Sequence, residues 1–213
     1  MLRVQGLSVA IGSVAIVRDA SLTVSERAMC GLIGRNGAGK TTLIRGLMGA
    51  IAASGNAELH GVDLIRLPGH RRLAHGIGYM PEDRRLVPEF TVEDNIRLPT
   101  WTLAMDGVEK RIEWIFALMP ELLKLRHRRA LELSGGQQKM VALARALMAG
   151  RRILLLDEPF EGLAPALAGR LAAVLADLKS EGLSILIAES NQIHVAELLS
   201  QAYRIERGQV APA

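Results

Sequence analysis

An α/β fold follows from three observations on this sequence. The stretch Gly34-Arg35-Asn36-Gly37-Ala38-Gly39-Lys40-Thr41-Thr42 separates an apolar run, Ala28 to Ile33, from a segment in which Leu43, Ile44, Leu47 and Met48 recur at helical spacing. Ile153-Leu154-Leu155-Leu156 is a fully apolar run, as expected of a strand buried on both faces of a sheet, and Leu183 to Ala188 reads as another strand. Between these strands, from Thr91 to about Ala130, the pattern becomes helical. The expectation is one domain over residues 1–213, made of a core with a mixed sheet, an N-terminal antiparallel β subdomain and an α-helical subdomain inserted at about 83–135.

Composition narrows the classes. Hydrophobic residues make up 49% of the chain with only 3% aromatic, and 23% are charged, which suits a globular protein with an aliphatic core and excludes a disordered one. No apolar run approaches the roughly 18 residues that span a bilayer, and Met1-Leu2-Arg3-Val4 lacks a signal-peptide stretch, so a cytoplasmic protein is expected. The single cysteine, Cys30, falls in a buried strand and permits neither a disulfide nor a cysteine metal cluster within one chain. The net charge is +4, but basic residues are scattered, and the densest cluster (Lys124, Arg126, Arg128, Arg129) has no interleaved aromatics for base stacking. No nucleic-acid partner is expected.

In chain order, apolar and polar residues alternate around Leu2–Leu7, Ala15–Val17 and Leu22–Val24, predicting three short antiparallel strands. A helix runs from Lys40 to Met48, and Gly55 to Asp63 reads as a short strand pair. Ile77-Gly78-Tyr79-Met80 is a core strand ending at Pro81. Thr91-Val92-Glu93-Asp94 has the form of a helix cap, and Val108, Ile112, Ile115, Leu118 and Met119 share a helical face. A further helix opens at Ser134-Gly135-Gly136-Gln137, and another spans Pro165 to Lys179 with Gly182 as its stop. The tail from Ala202 to Val210 forms a hairpin turning at Arg207-Gly208.

Three of these stretches carry chemistry. Glycines between Gly34 and Gly39 let successive amides point inward at the phosphates of a nucleotide, while Lys40 supplies a positive charge and the Thr41 hydroxyl can ligate Mg²⁺. The helix beginning there adds its positive dipole end. Ser134, Gly135 and Gly136 open a helix with free N–H groups, which serves either as an ordinary N-cap or as a second anion site. Asp157 and Glu158 close an apolar strand at the carboxyl end, where ligands sit in open α/β sheets. There Asp157 can hold Mg²⁺ through its water shell and Glu158 can polarise the water that attacks a γ-phosphate.

With these three motifs in this order, the chain resembles an ATP-binding cassette ATPase, a P-loop NTPase, over essentially its full length. Gly78-Tyr79-Met80-Pro81-Glu82-Asp83-Arg84-Arg85, Phe90-Thr91-Val92-Glu93-Asp94-Asn95 and Gly162-Leu163-Ala164-Pro165 make it most similar to the ATPase subunits of branched-chain amino acid and related amide importers. The resemblance implies ATP and Mg²⁺ as cofactors and a place on the inner face of the cell membrane, with the helical insertion touching membrane permease subunits. It also implies a head-to-tail pairing with a second ATPase subunit, identical or different, in which Ser134 to Gly136 of one chain, with Gln137, close on the nucleotide held by the other.

Three positions depart from the family pattern. Ile11 stands where most members stack an aromatic residue on adenine. Glu82 replaces the usual glutamine, as in the branched-chain type, and its carboxylate can reach Mg²⁺ or its water only as an acceptor. Ser190 occupies the place of a histidine or glutamine that contacts the γ-phosphate and the attacking water. Serine is too short for that gap, so either a water bridges it or the subunit hydrolyses slowly and relies on a different partner ATPase. Ser190 could instead cap a helix from Asn191 to Leu199. A regulatory, poorly hydrolysing subunit and a soluble cassette ATPase unconnected with transport are the alternatives to an importer subunit.

Overall fold

In the computed structural model, which describes residues 1–213, the N-terminal alternation becomes two long strands, β1 (Leu2–Ile11) and β2 (Val14–Val24). The three short strands expected there are therefore corrected to two. The cause is local: Gly6 and Asp19 have positive φ (61° and 50°), and the β1–β2 pairing shifts register between Val4 and Leu7 and again before Val9. Bulges of this kind break the two-residue period without breaking the ladder. The Gly6 amide donates to Ser21 Oγ and the Asp19 amide to Ser8 Oγ, each at 3.0 Å, so neither N–H is orphaned by the irregularity.

The other strands are β3 (Met29–Ile33), β4 (Ala53–Leu59), β5 (Val62–Asp63), β6 (Ile77–Met80), β7 (Ile153–Asp157), β8 (Ser184–Glu189), β9 (Gln201–Glu206) and β10 (Gln209–Pro212). They form a four-stranded antiparallel sheet in the order β2-β1-β4-β5 and a six-stranded sheet in the order β10-β9-β3-β8-β7-β6. The second sheet is mixed, as expected: β10 runs antiparallel to β9, and every other pair is parallel. The last hairpin turns at Arg207-Gly208, both at positive φ.

Seven helices accompany the sheets: α1 (Lys40–Leu47), α2 (Gly69–Arg72), α3 (Val92–Arg97), α4 (Val108–Leu118), α5 (Pro120–Leu123), α6 (Gly135–Ala149) and α7 (Pro165–Ser180). Alternation along β7 divides the core. Ile153 and Leu155 pack with α1 and the antiparallel sheet, while Leu154 and Leu156 pack with α6 and α7. All are buried, each contributing roughly 1.5–3 kcal/mol through area removed from water. Between β6 and β7 the chain makes α3 to α6. The Thr91–Asp94 capping box starts α3, and the Val92 amide donates to the Arg128 carbonyl, tying the start of α3 to the segment that follows α5.

The helix expected from Asn191 to Leu199 is absent. That segment is a series of turns, the first of which is closed by the Ile193 amide donating to Asn191 Oδ1 at 3.0 Å. Ser190 consequently caps no helix.

Helix α6 lies on β6 at a distance set by Gly78. A Cβ there would collide with the Ala146 carbonyl oxygen and lie 2.6 Å from Leu154 Cδ2. Gly78→Ala is therefore expected to destabilise the chain by about 1–3 kcal/mol by pushing α6 outward. Gly169→Ala, in the exposed middle of α7 with nothing within 4 Å, should stabilise it by up to about 1 kcal/mol. Urea denaturation of the two variants checks the opposite signs.

Candidate nucleotide site

Register brings the site together. In the parallel ladder Ile33 faces Glu189 and Asp157 faces Ala188, so β3, β7 and β8 end at one edge of the sheet. The loop from Gly34 to Gly39 leaves β3 here, with its first amide donating to the Glu189 carbonyl at 3.1 Å. Gly37 and Gly39 take φ of 78° and 111°, a region that favours glycine, and α1 starts immediately after.

Lys40 is buried, 3% exposed, and folds back over the loop. Its ammonium donates to the Gly34 carbonyl at 2.6 Å and the Arg35 carbonyl at 3.2 Å, and pairs with Glu158 Oε1 at 2.9 Å. Glu158 is itself 6% exposed, with a backbone φ of 48° that a non-glycine residue seldom adopts. Thr41 Oγ1 donates to Asp157 Oδ1 at 3.1 Å, while Asp157 Oδ2 is buried with no hydrogen-bond partner. Loss of hydration pushes the Asp157 carboxyl up from 3.8 to about 6.

A cavity of about 330 Å³ opens over this cluster, lined by Asn36, Gly37, Gly39, Lys40, Thr41 and Thr42 from the loop and helix, and by Glu82 and Glu158. Ile11 and Ile16 form its apolar end, with Ile11 54% exposed. Gly34, Arg35 and Ala38 line a separate cavity on the outer side of the same loop. Ser190 does not line the inner cavity. It stands behind it, its hydroxyl 2.9 Å from Glu158 Oε2 and 2.7 Å from Asn36 Oδ1. With one proton to give, the hydroxyl donates to the carboxylate and accepts from Asn36 once that amide presents its Nδ2.

The Ser134 corner lies apart from this cluster. Ser134 and Gln137 form a capping box, and the Gly135 and Gly136 amides have no partner within the chain. Gly135 lines a third cavity with Glu82, Arg84, Lys139 and Glu161, and neither it nor Ser134, Gly136 or Gln137 touches the inner one.

Three nearby residues were not foreseen. Ile16 follows Ile11 around the β1–β2 turn and is recognisable only once that hairpin is known. Glu189, 5% exposed, accepts from the Phe160 amide at 3.0 Å, and burial raises its carboxyl to about 7. Lys139, 7% exposed, donates to the carbonyls of Glu158 and Glu161. Lys139 closes the polar run Gln137-Gln138-Lys139 just before the apolar stretch Met140–Leu143, so local pattern gave no signal that it is buried.

The donor set suits a cation held jointly with phosphate. No group of three or more His, Cys, Asp or Glu side chains is arranged to hold a metal alone. The unpartnered Asp157 oxygen beside Thr41 fits Mg²⁺, which keeps waters and takes one or two carboxylates together with phosphate oxygens.

Residues 17–161 match the model of the ABC transporter family. The chain is 34% identical over 211 residues to the high-affinity branched-chain amino acid transport ATP-binding protein BraG of Pseudomonas aeruginosa, covering 99% of this chain and 91% of that protein. It is likewise 34% identical over 196 residues to the lipopolysaccharide export system ATP-binding protein LptB of Escherichia coli, covering 91% and 81%. Among solved structures it is similar to a nucleotide-free ATP-binding cassette from an ABC transporter, with 26% identity, TM-score 0.84, and coverage of 99% of this chain and 89% of that one. The chain belongs to the ABC transporter family, as an ATP-hydrolysing cassette. No helix in it is long and apolar enough to cross a membrane.

Because Asp157 binds its proton more tightly when folded, between about pH 4 and 6 the native chain holds more protons than the unfolded one. Its contribution is thus a penalty absent at the acid end and fully present above pH 6. Asp157→Asn should raise the stability of the nucleotide-free chain at pH 7.5 by about 1–3 kcal/mol and flatten its decline across that window. Urea denaturation as a function of pH tests this; a less stable variant at pH 7.5 contradicts it.

Proposed function

We propose that this chain is the subunit that hydrolyses Mg-ATP to energise an importer of branched-chain amino acids or related small amides. The observation that carries ATP hydrolysis is the buried cluster of Lys40, Thr41, Asp157 and Glu158 beneath a glycine loop and helix N-terminus. Likeness to BraG over 99% of the chain supports the solute class. A second assignment, export, rests on the comparable likeness to LptB.

In this proposal the loop amides and Lys40 bind the β- and γ-phosphates. Ile11 and Ile16 give the base an aliphatic rest in place of a stacked ring. Thr41, Asp157 and Glu82 hold Mg²⁺, which when bound would neutralise charge developing on the phosphate oxygens. Glu158 orients and polarises the attacking water, and Ser190 acts through Glu158 by fixing its second oxygen. Gly135 and Gly136 lie too far from the chain's own loop cavity to line it, so they serve the nucleotide of a second copy or related ATPase in a head-to-tail dimer. Permease subunits dock on the α3–α5 region, the inserted subdomain, where Trp101 is 59% exposed against Phe90, and this holds the chain at the inner face of the membrane.

Three variants test these assignments by ATP titration, steady-state phosphate release and size-exclusion chromatography. Glu158→Gln should lose turnover yet bind Mg-ATP and elute at twice the monomer mass, whereas Lys40→Ala should bind ATP about 10- to 150-fold more weakly. A Glu158→Gln chain that stays monomeric at high concentration argues against head-to-tail closure. Ser190→Ala should lower kcat about tenfold with ATP affinity unchanged, as expected for a hydroxyl that touches the carboxylate and not the phosphate. An equal loss of affinity would place Ser190 on the phosphate itself.

A further inference from the structure

The turn that leaves β7 carries Glu158, and its backbone is held from two directions. From β8, the Ala188 carbonyl accepts the Glu158 amide at 2.9 Å and Glu189 Oε1 accepts the Phe160 amide at 3.0 Å. From α6, Lys139 donates to the Glu158 carbonyl at 2.7 Å and to the Glu161 carbonyl at 2.5 Å. Lys139 has no carboxylate within ion-pair distance, although it is almost fully buried. A buried ammonium bonded only to main-chain carbonyls is an expensive choice for mere packing, since loss of hydration disfavours its charge. What it supplies is reach: a long stem ending in donors that span two carbonyls of one turn.

The other end of this connection is the N-terminus of α6. Lys139 stands five residues after Ser134, about 7.5 Å along the helix axis at 1.5 Å per residue. Anything that moves or steadies the Gly135–Gly136 end of this rigid element also moves or steadies the Lys139 ammonium. The strained φ of 48° at Glu158 makes the turn sensitive to the loss of a tether.

We propose that Lys139 is a positioning residue that couples the anion site at the start of α6 to the catalytic carboxylate of the same chain, through the Glu158 and Glu161 carbonyls. This rests on the head-to-tail assignment above. In such a dimer the α6 end of each chain senses the nucleotide on its partner's loop, while Glu158 serves the nucleotide on its own. Lys139 then makes the two hydrolysis sites report to one another: a nucleotide in one sets the Glu158 backbone of the other.

The test uses the full chain as wild type, Lys139→Met and Lys139→Arg. Phosphate release is followed against Mg-ATP concentration, and ATP affinity and thermal midpoint are measured separately. The methionine keeps the apolar stem without donors, and the arginine keeps donors and charge. The wild type should show a Hill coefficient above 1, approaching about 2 as the limit for two sites. Lys139→Met should lose about tenfold or more in kcat, fall to a Hill coefficient near 1, and keep its ATP affinity within about twofold. Lys139→Arg should recover most of the rate and the cooperativity. The strut is refuted if Lys139→Met keeps wild-type kcat and cooperativity, or if its affinity falls in proportion to its rate, which marks a purely structural role. A wild type that hydrolyses ATP without cooperativity instead overturns the two-site assignment on which the coupling rests.

Discussion

A buried ion pair between Lys40 and Glu158 is the interaction on which the site depends. Both groups are almost fully desolvated, and removal of either would leave a buried charge at a penalty of about 3–5 kcal/mol. The pair joins the loop that follows β3 to the turn that follows β7, across the intervening strand β8. It also neutralises the cation that the proposed mechanism assigns to an incoming triphosphate. In the proposed mechanism, nucleotide binding exchanges one anion for another at Lys40 and would release one oxygen of Glu158 while Ser190 retains the other.

That exchange requires the strand ends to be level and α6 to sit at a fixed distance. The first condition is met by the β3-β8-β7 register, in which residues buried on both faces of the sheet allow no slippage. The second is met by the close approach of α6 to Gly78. Asp157 shows the strain of this arrangement. Its carboxyl is held in a dry place with one oxygen unpaired, a cost that a cation would remove.

Much of this was legible in the sequence, because glycine spacing, apolar runs and capping residues are local signals. The phosphate loop, the Thr91 and Ser134 caps, the β6 strand and the closing hairpin all lie where local pattern puts them. The N-terminal strands differ from the local pattern because bulges at Gly6 and Asp19 interrupt the period while the backbone ladder continues past them, the freed amides being taken up by Ser21 and Ser8. Ser190, Lys139 and Glu189 show the same limit in another form. Their partners lie 19 or more positions away, at Asn36, Glu158, Glu161 and Phe160, and nothing in their own neighbourhoods names those partners.

A crystal structure of the wild-type chain with Mg²⁺ and a non-hydrolysable ATP analogue tests the account most directly. It should show Lys40 Nζ at about 3 Å from the β- and γ-phosphate oxygens, its contact with Glu158 broken, and the Gly135–Gly136 amides of a second chain facing the γ-phosphate. Nucleotide bound with the Lys40–Glu158 pair intact at 2.9 Å would contradict it.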